Sequence, residues 1–248
     1  KMILKSFSKI NLFLNVKKKL KKRKLHDIQS YFCLINLYDK IEINKIKGNR
    51  DKIKFKGKFS KFINKKDNSI LDVLTIFRAR KKITDYFSIN VDKKIPVYSG
   101  MGGGTSNAAC LIKYLHKGPI SEDMMIELEK KIGSDLRLFF YNQGFLKNLK
   151  KIIKPYKKFN LNFLMVYPNK KCSSHQTYSK ITRFSIKRNR GFKGIINSDD
   201  LINLLKRNKN DLQSIIEKKY PIIKKLLIEI GVKKGCYFSR MTGSGSVC

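Results

Sequence analysis

The stretch PVYSGMGGGTSNAACLIKYL, residues 96–115, sets the tightest limit on what this chain can fold into. Gly102, Gly103 and Gly104 stand in a row, and glycine loses more backbone freedom on folding than any other residue, so something there must offset the cost. Directly afterwards Ala108, Leu111, Ile112 and Leu115 recur at helical spacing, which predicts a helix starting at the glycines with Thr105 or Ser106 as its cap. DYFSINVDKKIPVY, ahead of the glycines, reads as a strand. A helix start presents unpaired N–H groups and the positive end of the helix dipole, so glycines placed there let phosphate oxygens reach the backbone. The loop is not a Walker A motif, because Thr105, Ser106 and Asn107 follow where a Lys-Ser/Thr pair belongs; nor is it GxGxxG, since Thr105 holds the last glycine position. On these residues alone, a phosphate cradle and a flexible turn both stay open.

The opening run alternates with strand period, Ile3, Lys5, Phe7, Lys9, Asn11 and Phe13 on one face and Leu4, Ser6, Ser8, Ile10, Leu12 and Leu14 on the other. KKKLKKRK at 17–24 reads either as a short basic patch for nucleic acid, without stacking residues, or equally as a solvated hairpin tip between two strand-like runs, and HDIQSYFCLINLYDKIEINKI as further strand with Asp39 near a turn. Helical spacing returns in 68–83. A further helix is capped by Ser121, carries Glu122 and Asp123 at its positive end and Met125, Leu128 and Ile132 as its stripe, and stops at Gly133. SDLRLFFY follows as a short buried strand or turn. Around KNLKKIIKPYKK the periodicity lapses, which places a domain boundary between 1–156 and 157–248. Beyond it LNFLMVYP reads as a strand, 199–207 and 211–230 as helices broken at Pro221, and GCYFSRMTGSGSVC as a strand entering a second glycine turn. The second part is a smaller α+β domain.

No stretch approaches the roughly 18–20 apolar residues of a membrane-spanning helix. Lys5 and Lys9 interrupt any signal-peptide core, so the chain reads as mature protein. Cys33, Cys110, Cys172, Cys236 and Cys248 are scattered, and His26, His116 and His175 form no ligand pattern beside them, which points to a reducing cytoplasm and no structural zinc. With 56 Lys+Arg against 18 Asp+Glu, the formal charge of +38 attracts polyanions. Nucleic-acid binding is one reading. The other, which the sequence favours, is lysine inflated across the whole chain as solvated surface, because a dedicated binder concentrates charge and interleaves aromatics.

SFSKINLFLNV, PVYSGMGGGTSNAA, GSDLRLFF and MTGSGS, in that order, resemble the four signature segments of the GHMP kinase superfamily, and among its members most closely those acting on 4-diphosphocytidyl-2-C-methylerythritol. The resemblance spans nearly the whole chain. It implies an α+β, two-domain fold, ribosomal-protein-S5-like in the N-terminal part and ferredoxin-like in the C-terminal part, the latter stopping short of the family pattern at Cys248. The implied activity is ATP-dependent phosphorylation of the substrate's 2-hydroxyl in non-mevalonate isoprenoid precursor synthesis. Lys9 and Asp135 then match the catalytic lysine and aspartate, and Pro96, Val97, Tyr98, Ser99, Gly100, Met101, Gly102, Gly103, Gly104, Thr105 and Ser106 match the ATP loop, with Ser106 as a contributor to a Mg²⁺ shell. Asn11 matches the substrate side, His26 the group that hydrogen-bonds cytosine, and Tyr178 the aromatic that stacks on it. Gly243 and Gly245 match a late loop closing near the phosphates. The pair fits the chemistry: a carboxylate takes the proton of an alcohol attacking a γ-phosphoryl group, and a lysine steadies the negative charge.

Four positions depart from the family pattern. Lys24-Leu25-His26 replaces Gly-Tyr-His and so lacks the tyrosine stacking on cytosine from the other side; Ser99 replaces a glycine and Arg137 a proline. Base–aromatic stacking is worth about 1–3 kcal/mol, so weaker cytidine affinity follows. The expected partner is a cytidyl diphosphate alcohol rather than nucleic acid or a membrane, in a protein of unassigned oligomeric state. The rival readings are a GHMP kinase acting on homoserine or mevalonate, and a basic nucleic-acid-binding protein on a degenerate kinase fold.

Overall fold

The computed structural model describes residues 1–20, 25–186, 189 and 191–248. The tip of the basic run, 21–24, lies outside the described residues, but its flanks form the expected hairpin: β2 (Asn15–Lys19) pairs antiparallel with β3 (His26–Ile46), Lys19 opposite His26. The α+β class is borne out, and the chain gathers into two compact units. One comprises Lys1–Lys9, Leu34–Val97 and Gly102–Phe140; the other Ile10–Cys33, Tyr98–Met101 and Tyr141–Cys248.

In the first unit, β1 (Met2–Asn11) pairs with β3, whose lower half runs antiparallel to β5 (Tyr86–Asp92), Ile41 opposite Val91 and Ile43 opposite Ile89. The short β4 (Lys52–Lys56) lies parallel to β5. β5 alternates strictly, burying Phe87, Ile89 and Val91, as a strand with one face on a core must. Against that face pack α1 (Ser69–Ala79) through Val73, Leu74 and Phe77, α2 (Gly103–Leu115) through Ala108, Leu111 and Ile112, and α3 (Glu122–Ile132) through Met124 and Leu128. The cap of α1 is Asn68, whose side chain accepts from the Leu71 N–H. The features read for α3 all hold: Ser121 caps it, Glu122 and Asp123 fill its first turn, and Gly133 ends it at φ 137°.

In the second unit the upper half of β3 pairs with β6 (Gln143–Asn148), and β6 with β7 (Lys151–Ile153). The helices α4 (Ser174–Ser179), α5 (Ser198–Lys206), α6 (Gln213–Lys219) and α7 (Pro221–Gly231) follow, with Pro221 as the first residue of α7. Proline suits that place because its missing N–H has no helical partner there.

Four sequence expectations are corrected. Asp39 is not near a turn; it lies inside the continuous 21-residue β3, completely buried. The cap of α2 is Gly102, whose left-handed φ of 67° turns the chain into the helix, while Thr105 and Ser106 sit within its first turn. Residues 161–168 run outside any strand, although the Val166 and Cys248 N–H groups each donate to the other's carbonyl. Residues 236–242 likewise form no strand, although the glycine turn after them is present, with Gly243 and Gly245 at φ 54° and 87°. A strand-like pattern shows only that a segment can be extended; the ladder needs a neighbouring edge.

Candidate active site

Asp135 stands three residues past the end of α3. Its carbonyl accepts from the Leu138 N–H at 3.0 Å, starting the 3₁₀ turn Leu136–Phe140, and the buried Leu136, Leu138 and Phe139 anchor that turn. Lys113 of α2 donates to the Phe139 carbonyl at 2.6 Å, which ties turn to helix. Arg137, standing in place of the family's proline, forks onto Glu129 at 2.8 and 3.1 Å and Glu122 at 3.0 and 3.1 Å, so the turn is also pinned to α3. Glu129 foremost, with Glu122, holds that guanidinium well above its ordinary value. The tether replaces ring rigidity with a two-carboxylate clamp.

So held, Asp135 meets β1. Its Oδ2 lies 3.1 Å from Lys9 Nζ; the lysine side chain is 2% exposed and the carboxylate 39%. The sequence put these residues 126 positions apart, and the first unit brings their tips into contact. A buried ammonium beside a half-open carboxylate gives an acceptor that an incoming hydroxyl can reach, and a fixed positive charge beside it.

Gly102 and Gly103 open α2 in the same unit. A side chain at Gly102 would stand 2.7 Å from Phe139 Cζ and 3.9 Å from Lys9 Cε, and one at Gly103 would stand 3.0 Å from Ile95 Cγ2 and 3.4 Å from Lys93 Nζ. The glycines are therefore required by the packing beneath them as well as by any ligand above. The neighbour Gly104 is exposed, and Thr105 half-buried. Ser106 is buried; its hydroxyl donates to the Phe7 carbonyl at 2.5 Å and lies 2.7 Å from Ser6 Oγ, so it faces β1. Pro96 is buried and Val97 half-buried ahead of the loop.

The remaining loop residues belong to the second unit. Tyr98 is exposed at φ 56°, Ser99 and Met101 are buried, and Gly100 turns at φ 80°. A side chain on Gly100 would collide with the Thr242 carbonyl, and one on Gly243 would lie 2.6 Å from the Gly100 carbonyl, so the two glycine turns pack backbone to backbone. The Asn11 N–H donates to Thr242 Oγ1 at 2.7 Å and its side chain to Ser30 Oγ at 2.7 Å.

His26, also in the second unit, lies stacked on Tyr178 of α4 with ring centroids 5.4 Å apart. The structure thus brings together the two residues matched to cytosine recognition. Phe184 lies on His26 as well, at 6.1 Å, which the sequence did not single out. Burial first, and then the charge of Lys19, push the His26 pKa below its ordinary value and favour the neutral ring. A neutral imidazole can both donate and accept, as a base edge requires.

The described residues contain no group of three or more His, Cys, Asp or Glu able to hold a metal. Mg²⁺ needs no such cage, since it takes most of its ligands from phosphates and water and only one or two from protein.

The family model described as GHMP kinases N terminal domain matches residues 68–142. A 4-diphosphocytidyl-2-C-methyl-D-erythritol kinase of Pelagibacter ubique is 35% identical over 98% of this chain and 86% of its own length. The protein of the same name from Ureaplasma parvum is 31% identical over 99% and 93%. A crystal structure of 4-(cytidine 5'-diphospho)-2C-methyl-D-erythritol kinase superposes with a TM-score of 0.68 at 18% identity, covering 99% of this chain and 88% of that one, which shows a shared fold.

Proposed function

Because the chain belongs to the 4-diphosphocytidyl-2-C-methyl-D-erythritol kinase family of GHMP kinases, we propose that it transfers the γ-phosphoryl group of ATP to the 2-hydroxyl of that alcohol. The observation that carries the reading is the Lys9–Asp135 contact of 3.1 Å.

In this reading Asp135 accepts the proton of the 2-hydroxyl as its oxygen bonds to the γ-phosphorus, and the bond from that phosphorus to the β–γ bridging oxygen breaks to release ADP. Lys9 holds the carboxylate in place and steadies charge gathering on the transferred group. The N–H groups at the start of α2 receive phosphate oxygens, which Gly102, Gly103 and Gly104 leave uncovered. A Mg²⁺ ion carried by ATP would supply neutralisation of the phosphate charge; the Ser106 hydroxyl, which the resemblance matches to its shell, is engaged by Phe7 and Ser6 of β1. His26 reads the cytosine edge, Tyr178 stacks on the ring, and Asn11 supports the substrate side. Five free cysteines fit a cytoplasmic setting, and no described helix is long and apolar enough to cross a membrane.

The test is ADP release with the cytidyl alcohol as acceptor. Wild-type turnover, with Asp135→Asn lowering kcat by about 10²–10⁴ and leaving the KM for ATP within a few-fold, is the expected result. An inactive wild type, or an Asp135→Asn variant with full kcat, refutes it. Turnover of homoserine or mevalonate in preference to the cytidyl alcohol would keep the fold and overturn the substrate.

A further inference from the structure

Beneath the start of α2 the first unit buries an ion pair that no step above uses. Asp39 of β3 is fully buried, the Lys93 side chain is 1% exposed, and Lys93 Nζ donates to Asp39 Oδ2. Taking two charges this far from water costs several kcal/mol per ion, and well-packed apolar residues of similar size commonly stabilise a core as well or better. Stability alone is therefore a weak reason for the pair.

What apolar residues could not supply is the set of hydrogen bonds around it. Asp39 Oδ1 accepts from the backbone N–H groups of Lys94 at 2.7 Å and Ile95 at 2.9 Å, the residues that lead into the glycine loop. Asp39 Oδ2 also accepts from Asn107 Nδ2 at 3.0 Å, while Asn107 Oδ1 accepts from Lys93 Nζ at 2.9 Å. Asn107 belongs to α2 and reaches Ser6 Oγ of β1 at 2.9 Å, three residues before Lys9. One carboxylate thus joins the chain entering the loop, the first turns of the helix leaving it, and the strand that carries Lys9. Any Cβ at Gly103 would touch both Ile95 and Lys93, so a shift of 93–95 is felt at the helix N-terminus.

We propose that Asp39 is a positioning residue of the nucleotide site: through the Lys94 and Ile95 N–H groups, Lys93 and Asn107, it sets the glycine-loop entry and the α2 N-terminus in register with β1. This rests on the kinase reading. Asp39 acts on ATP through the backbone it fixes and makes no contact with substrate.

Two double variants separate anchoring from packing. Asp39→Asn with Lys93→Met removes both charges but keeps an amide oxygen for the two N–H groups; Asp39→Leu with Lys93→Met removes both charges and the acceptor. Binding of the β,γ-imido analogue of ATP is measured by titration calorimetry on the full chain, beside Tm, KM and kcat. The amide variant is expected to bind within about threefold of wild type, and the leucine variant at least tenfold more weakly, with the KM for the alcohol unchanged in both. Equal affinities for the two variants overturn the proposal, as does loss of affinity that merely follows Tm. Should the leucine variant fail to fold, Asn107→Leu keeps the ion pair and cuts the link to β1; it is expected to weaken ATP binding about tenfold, and unchanged binding overturns the proposal. Failure of the kinase reading shows differently, as a wild type that binds no ATP, and the assignment of Asp39 falls with it.

Discussion

Gly102→Ala tests whether the glycine loop is fixed by what lies under it. At φ 67° an alanine pays about 1–2 kcal/mol for the left-handed conformation. Its Cβ would lie 2.7 Å from Phe139 Cζ and 3.2 Å from Cε2, well inside ordinary contact. Phe139 is 2% exposed and cannot swing into water, so the overlap costs about a further 1–3 kcal/mol as overpacking. The total, about 2–5 kcal/mol, is divided between folding and nucleotide binding according to whether ring or loop gives way. If the loop moves, 2 kcal/mol corresponds to roughly a 30-fold loss of ATP affinity. If the ring moves, the same energy lowers Tm by roughly 4–8 °C in a chain of this length. Titration calorimetry with the ATP analogue and a thermal melt measure the two parts. A second-site Phe139→Leu is expected to recover the contact part and leave the conformational part of about 1–2 kcal/mol. Gly102→Ala with unchanged Tm and unchanged affinity would refute the reasoning.

Two further perturbations address the second unit. His26 has its folded pKa pushed below the ordinary 6.5, so protons favour the unfolded chain; its contribution is intact above that value and is lost as pH falls from about 6.5 through the folded pKa. Tm measured from pH 7.5 to 5 is expected to fall more steeply in wild type than in His26→Gln, and identical slopes would refute the assignment. Arg240 donates to the carbonyls of Leu12, Leu205 and Asn208, and burial draws its pKa down to about 10, which leaves it charged at neutral pH. Arg240→Leu strands those acceptors at a cost of about 3 kcal/mol or more, which a denaturant melt should register and Arg240→Lys should recover only in part.

The elements legible in the sequence are those whose signals are local. A cap, a stripe and a stop glycine within 13 residues define α3, and helical spacing within 68–83 marks α1, whose cap Asn68 only the structure shows. Where the partner lies far along the chain, the same signals mislead. Asp39 looks like a turn residue because an aspartate interrupts an apolar run, yet its partner Lys93 is 54 residues on and its other bonds are to backbone no pattern reveals. Thr105 and Ser106 look like caps because hydroxyls usually cap, but Gly102 makes the turn itself and leaves Ser106 to bond Phe7. The runs at 161–168 and 236–242 have strand composition, yet neither forms a strand.

The candidate site divides along the same line. Nothing in composition or spacing distinguishes Lys9 among 56 cationic residues or Asp135 among 18 acidic ones; the order of four signature segments does, and the contact between their tips is long-range geometry. The glycines can be read as a place that tolerates no side chain. Sequence alone suggests that the excluded volume belongs to a phosphate. The structure shows that part of it belongs to Phe139, Ile95 and Lys93, which press against the loop from below. A loop tightly packed on its inner side is pre-ordered, so the entropy cost of three glycines is met in folding rather than at each encounter with nucleotide. That is why perturbing the buried side, at Phe139 or Asp39, should be felt in ATP affinity although neither residue is asked to touch ATP.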